Sequence, residues 1–263
     1  MSPEHPVPGA AALLQVSGLQ MRFGGLLAVD GIDFEVLGDE VFAIIGPNGA
    51  GKTTVFNCVG GFYKPSAGHV VFDGQPIAGL ASHQIARRGL VRTFQNVRLF
   101  KQLTVVENLL VAQHRKVKSG LLHGLFATPA YRRAEQAALE RTALWLDHME
   151  LRHLANRQAG TLSYGHQRLL EIARCMITEP RLLMLDEPAA GLNPQEKIEL
   201  RDLIDRLRRQ FNVAVLLIEH DMSLVMGVSD RILVMEHGRP IMTGKPDEVR
   251  NDPRVIKAYL GEA

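Results

Sequence analysis

The sequence predicts an α/β protein: a mixed sheet built around a phosphate-binding loop and interrupted by a long helical insertion. Three observations predict it. The stretch GPNGAGKT at 46–53 lies between the apolar run EVFAIIG and the run VFNCVG, so it reads as strand, glycine-rich turn and helix. Short β-rich runs broken by Gly, Asp and Pro crowd the first 95 residues, and from about Thr104 to Arg174 the apolar spacing turns helical. After the insertion, near-continuous apolar runs alternate with amphipathic ones, the pattern of parallel strands covered on both faces and the helices that connect them.

Taken in order, the opening MSPEHPVPGAAA has prolines and an acid where a secretory signal needs a basic start and an apolar core, so residues 1–12 are expected to be a loose tail. LLQVSGLQMRF, GIDFEV, EVFAII, HVVFDG and GLVRTF read as strands. The insertion opens on T-V-V-E, a capping-box spacing between Thr104 and Glu107. Three Gly or Pro breaks make residues 116–131 an irregular excursion between helices. RLLMLDEP, VAVLLIEH and RILVMEHG are buried strands. Between the first two, residues 195–210 form an amphipathic helix whose stripe of Leu200, Leu203, Ile204 and Leu207 packs the core.

Composition excludes several classes. A chain of 263 residues that is 46% hydrophobic can bury one or two cores. With 30 Lys and Arg against 28 Asp and Glu, its net charge of +2 gives no field that points to nucleic acid or an anionic membrane. No run reaches the ~18–20 apolar residues of a membrane helix. The two cysteines, Cys58 and Cys175, each fall in a helical pattern and suit reduced core thiols; metal binding through them has no support.

The loop at 46–53 fits G-x-x-x-x-G-K-S/T at every fixed position. Glycines let backbone amides face phosphates, Lys52 reaches the β and γ oxygens, and the Thr53 hydroxyl can ligate Mg²⁺. The chain is therefore expected to bind a nucleoside triphosphate through Gly46, Pro47, Asn48, Gly49, Ala50, Gly51, Lys52, Thr53 and Thr54. The loop alone leaves kinases, GTPases, helicases and transport ATPases open.

Further motifs in this order resemble the ATP-binding subunit of ABC transporters over nearly the whole chain. The resemblance implies an ABC ATPase of the P-loop NTPase class: a RecA-like mixed-sheet core with an antiparallel β subdomain (13–95 and 180–263) and an inserted α-helical subdomain (96–179). In LLMLDEP it implies that Asp186 anchors the Mg²⁺ shell and Glu187 polarises the attacking water. TLSYGHQRLLEIAR resembles the signature that opens a helix, with Ser163 as its cap and Ser163 and Gly165 facing the nucleotide of an opposite subunit; Tyr164 and His166 depart from the common Gly and Gln. Gln95 in RTFQN matches the glutamine that senses Mg²⁺ and water, and His220 in LLIEHDM matches the switch histidine at the γ-phosphate. Phe23 lies where the family places an aromatic under adenine, and AAGLNP carries Asn193 where many relatives have Asp.

RFGGLLAVDGIDF, VRTFQNVRLFKQLTVVENLLVAQH, ANRQAGTLSYGHQRLLEIARC and DPRVIKAYLGEA narrow the resemblance to branched-chain amino-acid uptake ATPases of the LivG/BraF type. That implies Mg²⁺-dependent ATP hydrolysis driving import of leucine, isoleucine and valine at the cytoplasmic face of the inner membrane. It also implies a second, related ATPase subunit, or a homodimer in isolation, with two permease subunits and a periplasmic binding protein. A soluble ABC protein acting on ribosomes or DNA would carry two ATPase modules or a long coiled coil, and neither is present. A nucleotide-binding regulator with a dead site is disfavoured by Lys52, Asp186, Glu187 and His220. Residues 96–103, NVRLFKQL, are expected to present Val97, Leu99, Phe100 and Leu103 to a cytoplasmic helix of the permease.

Overall fold

A computed structural model describes residues 12–113 and 129–260. The N-terminal tail to residue 11, most of the excursion at 116–131 and the last three residues lie outside the described residues. The chain divides into two compact units, one of residues 1–92, 181–189 and 197–263, the other of residues 93–180 and 190–196.

The first unit holds both sheets. Strands β1 (Leu14–Phe23) and β2 (Leu26–Val36) form a long antiparallel pair, and β4 (Ala67–Phe72) and β5 (Gln75–Pro76) extend it in the order β2-β1-β4-β5. Alternation along β1 buries Leu14 and Val16, and after a register shift between Val16 and Leu19 it buries Leu19 and Met21. The second sheet has the order β10-β9-β3-β8-β7-β6. Its strands β3 (Val41–Ile45), β6 (Leu90–Arg92), β7 (Leu182–Asp186), β8 (Ala214–Ile218) and β9 (Arg231–Glu236) run parallel, and β10 (Arg239–Gly244) returns antiparallel at the edge.

Strands β3, β7 and β8 are buried at every position, which is why their sequences run apolar without alternation, up to Asp186 at the end of β7. One continuous core gathers Phe42 and Ile44 of β3, Val55, Phe56 and Val59 of helix α1 (Lys52–Val59), and Leu14, Phe34 and Phe72 of the antiparallel sheet. Helix α2 (Ser82–Arg87) adds Ile85 to it.

The second unit is helical: α3 (Val105–Gln113), α4 (Pro129–His148) and α5 (Tyr164–Met176). The capping box expected at Thr104 is formed. The Thr104 amide donates to Glu107 Oε2 at 2.7 Å and the Glu107 amide donates back to Thr104 Oγ1 at 3.3 Å. Helix α6 (Pro194–Phe211) begins in this unit and continues into the first, burying the predicted stripe of Leu200, Leu203, Ile204 and Leu207. Helices α7 (Met222–Val228), α8 (Pro246–Asn251) and α9 (Pro253–Leu260) complete the first unit. Among the described residues, no helix is long and apolar enough to cross a membrane.

Candidate functional site

The phosphate loop is positioned by burial on both sides. Strand β3 delivers the chain to Gly46 from the middle of the sheet, and α1 leads away from Lys52 with Val55, Phe56 and Val59 in the core. Two glycines are required by space. A Cβ at Gly46 would lie 2.1 Å from the Met235 carbonyl oxygen, and one at Gly51 would lie 2.8 Å from that of Ala28, both on backbones of positive φ. The Gly238 amide donates to Ala50 O at 3.1 Å, which fixes the loop to the turn between β9 and β10. From the far end of the chain, Tyr259 on α9 meets the Gly46 amide, and burial pushes its phenol up to about 12.

A cleft of about 410 Å³ opens on this loop, lined by Asn48, Gly49, Ala50, Gly51, Lys52, Thr53 and Thr54 and closed by Leu26, Leu27, Ala28, His237 and Gly238; Glu187 reaches it from the end of β7. Lys52 is buried and folds onto its own loop, its Nζ donating to Gly46 O at 2.7 Å and to Pro47 O at 3.0 Å. Burial holds its pKa below the usual lysine value, against the opposing pull of Glu187.

Asp186, the last residue of β7, is 4% exposed, and its Oδ2 accepts from Arg92 Nη2 at 2.6 Å. The other arm of Arg92 donates to Asn57 Oδ1 at 2.6 Å. Glu187 follows with φ 46°, a left-handed backbone uncommon outside glycine. Its amide is held by Ile218 O at 2.9 Å. His220 lies beyond the end of the neighbouring strand β8, exposed, with Nδ1 4.0 Å from Glu187 Oε2 and 3.9 Å from Glu219 Oε2. Phe23 ends β1 opposite Leu26, its ring 41% exposed and set edge-to-face on Tyr63 at 5.3 Å. It adjoins the cleft lining without being part of it.

The helical unit carries its own set. Ser163 caps α5, accepting from the His166 amide at 3.3 Å, and a Cβ at Gly165 would lie 2.4 Å from Glu196 Oε1. Gln95 is exposed, three residues past the end of β6. Its loop is held by two buried α5 residues that the sequence reading did not single out. Arg168 donates to Phe94 O (2.8 Å), Gln95 O (2.9 Å) and Glu171 (2.8 Å), and Glu171 accepts from the amides of Arg98 (3.1 Å) and Phe94 (3.4 Å). The Tyr164 hydroxyl accepts from Arg168 at 3.1 Å, and a Cβ on Gly191 would lie 3.3 Å from its ring. Tyr164, one of the two residues that depart from the common signature, thus braces the arginine that holds the loop of Gln95 and lies against Gly191. No local pattern discloses this, because Arg168 and Phe94 are separated by 74 positions.

Both thiols are held protonated by burial, Cys58 near 11 and Cys175 near 12, which keeps them chemically inert. Among the described residues no group of three or more His, Cys, Asp or Glu could hold a metal unaided. The oxygens of Thr53 and Asp186 suit a hard cation that completes its shell with water and phosphate, as Mg²⁺ does.

Residues 29–190 match the family model for ABC transporters, and residues 239–263 match one for branched-chain amino acid ATP-binding cassette transporters. The chain is 62% identical over 251 residues to the high-affinity branched-chain amino acid transport ATP-binding protein BraF of Pseudomonas aeruginosa, covering 95% of this chain and 98% of that one. It is 60% identical to LivG of Escherichia coli K12, with the same coverage. A solved structure of MJ1267 in its ADP conformation, an ATP-binding cassette of an ABC transporter, superposes with a TM-score of 0.83 at 33% identity, covering 96% of this chain and all of that one.

Proposed function

The chain belongs to the ATP-binding subunits of ABC transporters, and from that membership we propose that it drives uptake of branched-chain amino acids by hydrolysing ATP. As a member of that family it is an ATPase coupled to transport. The observation that carries the site assignment is Glu187, set in the same cleft as Lys52 and Thr53. The substrate class rests on the high identity to BraF and LivG and on the branched-chain match of residues 239–263.

In this reading the loop amides and Lys52 cradle the triphosphate, Lys52 leaving the carbonyls of Gly46 and Pro47 for phosphate oxygens. Phe23 supports the adenine face. Thr53 and Asp186 would hold Mg²⁺, with Gln95 as a further ligand, and the ion when bound would supply positive charge against the phosphates. Glu187 orients the attacking water and takes its proton, and His220 steadies the γ-phosphate. Ser163 and Gly165 complete the site of a second ATPase subunit, which makes the working unit a dimer on the cytoplasmic face of the membrane, docked on two permease subunits and served by a periplasmic binding protein. Phe100, 48% exposed, is available to such a permease contact.

Glu187→Gln tests the chemistry: it should bind ATP like the parent and turn over ~10²–10⁴-fold more slowly, the range of general-base effects. Single-turnover hydrolysis within tenfold of the parent would remove Glu187 from that role.

A further inference from the structure

Glu219 is the most deeply buried acid near the cleft, and nothing in the chemistry above uses it. It is 0% exposed, and its carboxylate accepts from three backbone amides: Ala189 at 2.7 Å on Oε1, His220 at 3.0 Å and Asp221 at 3.2 Å on Oε2. An acid sealed from water in this way persists only where its hydrogen bonds are made, and here both oxygens accept from backbone amides. Its two oxygens divide their duties. One holds the turn two residues beyond Glu187; the other holds the turn that carries His220.

We propose that Glu219 is a positioning residue that fixes the separation of Glu187 and His220 by tying their two turns to a single buried carboxylate. The inference rests on the catalytic reading of Glu187 given above. Strands β7 and β8 already pair Asp186 with Ile218, but beyond those residues both chains leave the sheet and lose the ladder. Glu187 then adopts φ 46°, a conformation that lasts only where its surroundings over-determine it. Ile218 O fixes the amide of Glu187, Glu219 fixes the amide of Ala189, and the strained residue is held from both sides. From the other side of the second turn, Lys197 Nζ donates to Asp221 Oδ2 at 2.6 Å, so the His220 turn is also anchored twice. Glu187 Oε2 and His220 Nδ1, 4.0 Å apart, sit on these two anchored turns. Displacements of about 1 Å in such a pair cost on the order of 100-fold in rate.

Glu219→Gln keeps the shape but turns an NH₂ toward one of the two sets of amides. Full-length protein carrying it should bind ATP within about threefold of the parent and hydrolyse it at least tenfold more slowly. In a Glu187→Gln background the same change should slow hydrolysis by less than twofold, because there is no base left to position. Amide exchange should quicken at Ala189, His220 and Asp221 and stay unchanged in β3 and β8. Parental turnover in Glu219→Gln, or an equal further loss in the Glu187→Gln background, overturns the proposal. If Glu219→Gln does not fold, the parent decides: exchange of the Ala189 and His220 amides at ordinary open-loop rates overturns it, and strong protection of both supports it. Parental turnover in Glu187→Gln itself would instead remove the catalytic reading on which the inference stands.

Discussion

Arg92 and Asp186 form a buried ion pair between the ends of β6 and β7, with side chains 8% and 5% exposed. Removing the cation alone leaves a charge in a site shaped to pair it, which typically costs about 3–5 kcal/mol. Arg92→Met should therefore lower the melting temperature by roughly 6–20 °C for a chain of this size, and adding Asp186→Asn should recover much of the loss. A melt of Arg92→Met that matches the parent would mean the pair is not buried in solution. Phe23 makes a separate claim. Its exposed ring, backed edge-to-face by Tyr63, is free to stack on a base, a contact of about 1–3 kcal/mol. Phe23→Ala should weaken ATP binding by one or two orders of magnitude with the melting temperature nearly unchanged. Equal affinities by titration would assign the ring to the Tyr63 contact alone.

At the level of elements, the caps were readable and the cross-braces were not. Thr104 with Glu107 and Ser163 before its helix announce themselves within four residues of sequence, because a cap is a local hydrogen bond. The hydrogen bonds from Thr104 hold the Glu107 carboxyl below its usual pKa. A depressed carboxyl contributes stability that is complete above the unfolded value of ~4.3 and drains away as pH falls through the lower folded value. Replacing Glu107 with Gln should flatten the acid limb of the stability curve and leave its neutral-pH shape alone; an unchanged acid limb would contradict this. By contrast, Arg168, Glu171 and Tyr164 act on a loop some 70 residues away in sequence, and nothing local marks them. Tyr164→Phe removes one acceptor from Arg168, worth about 1 kcal/mol. Exchange at the Phe94 and Arg98 amides should quicken severalfold, and unchanged protection would show that Arg168 holds the loop without the tyrosine.

For the molecule as a whole, the near-continuous apolar runs of β3, β7 and β8 made the parallel sheet legible, since only strands covered on both faces have that composition. The phosphate loop was equally plain, because its glycines are demanded by the carbonyls of Met235 and Ala28. What the chain order could not disclose was the company those residues keep. Nothing in the run VAVLLIEH marks Glu219, whose carboxylate meets two turns that lie 30 positions apart in the chain. Because Ser163 and Gly165 serve a second subunit in the proposed mechanism, the purified chain should be chiefly monomeric without nucleotide and should dimerise with ATP when Glu187 is replaced by Gln. Light scattering that finds a stable dimer without nucleotide would contradict that arrangement. The central claim is that ATP hydrolysis at Glu187 powers uptake of branched-chain amino acids. It is tested most directly by following labelled leucine into cells that lack the chromosomal copy and express either the parent or Glu187→Gln at equal levels. The parent should restore uptake and Glu187→Gln should not; equal uptake by both would contradict this role for Glu187.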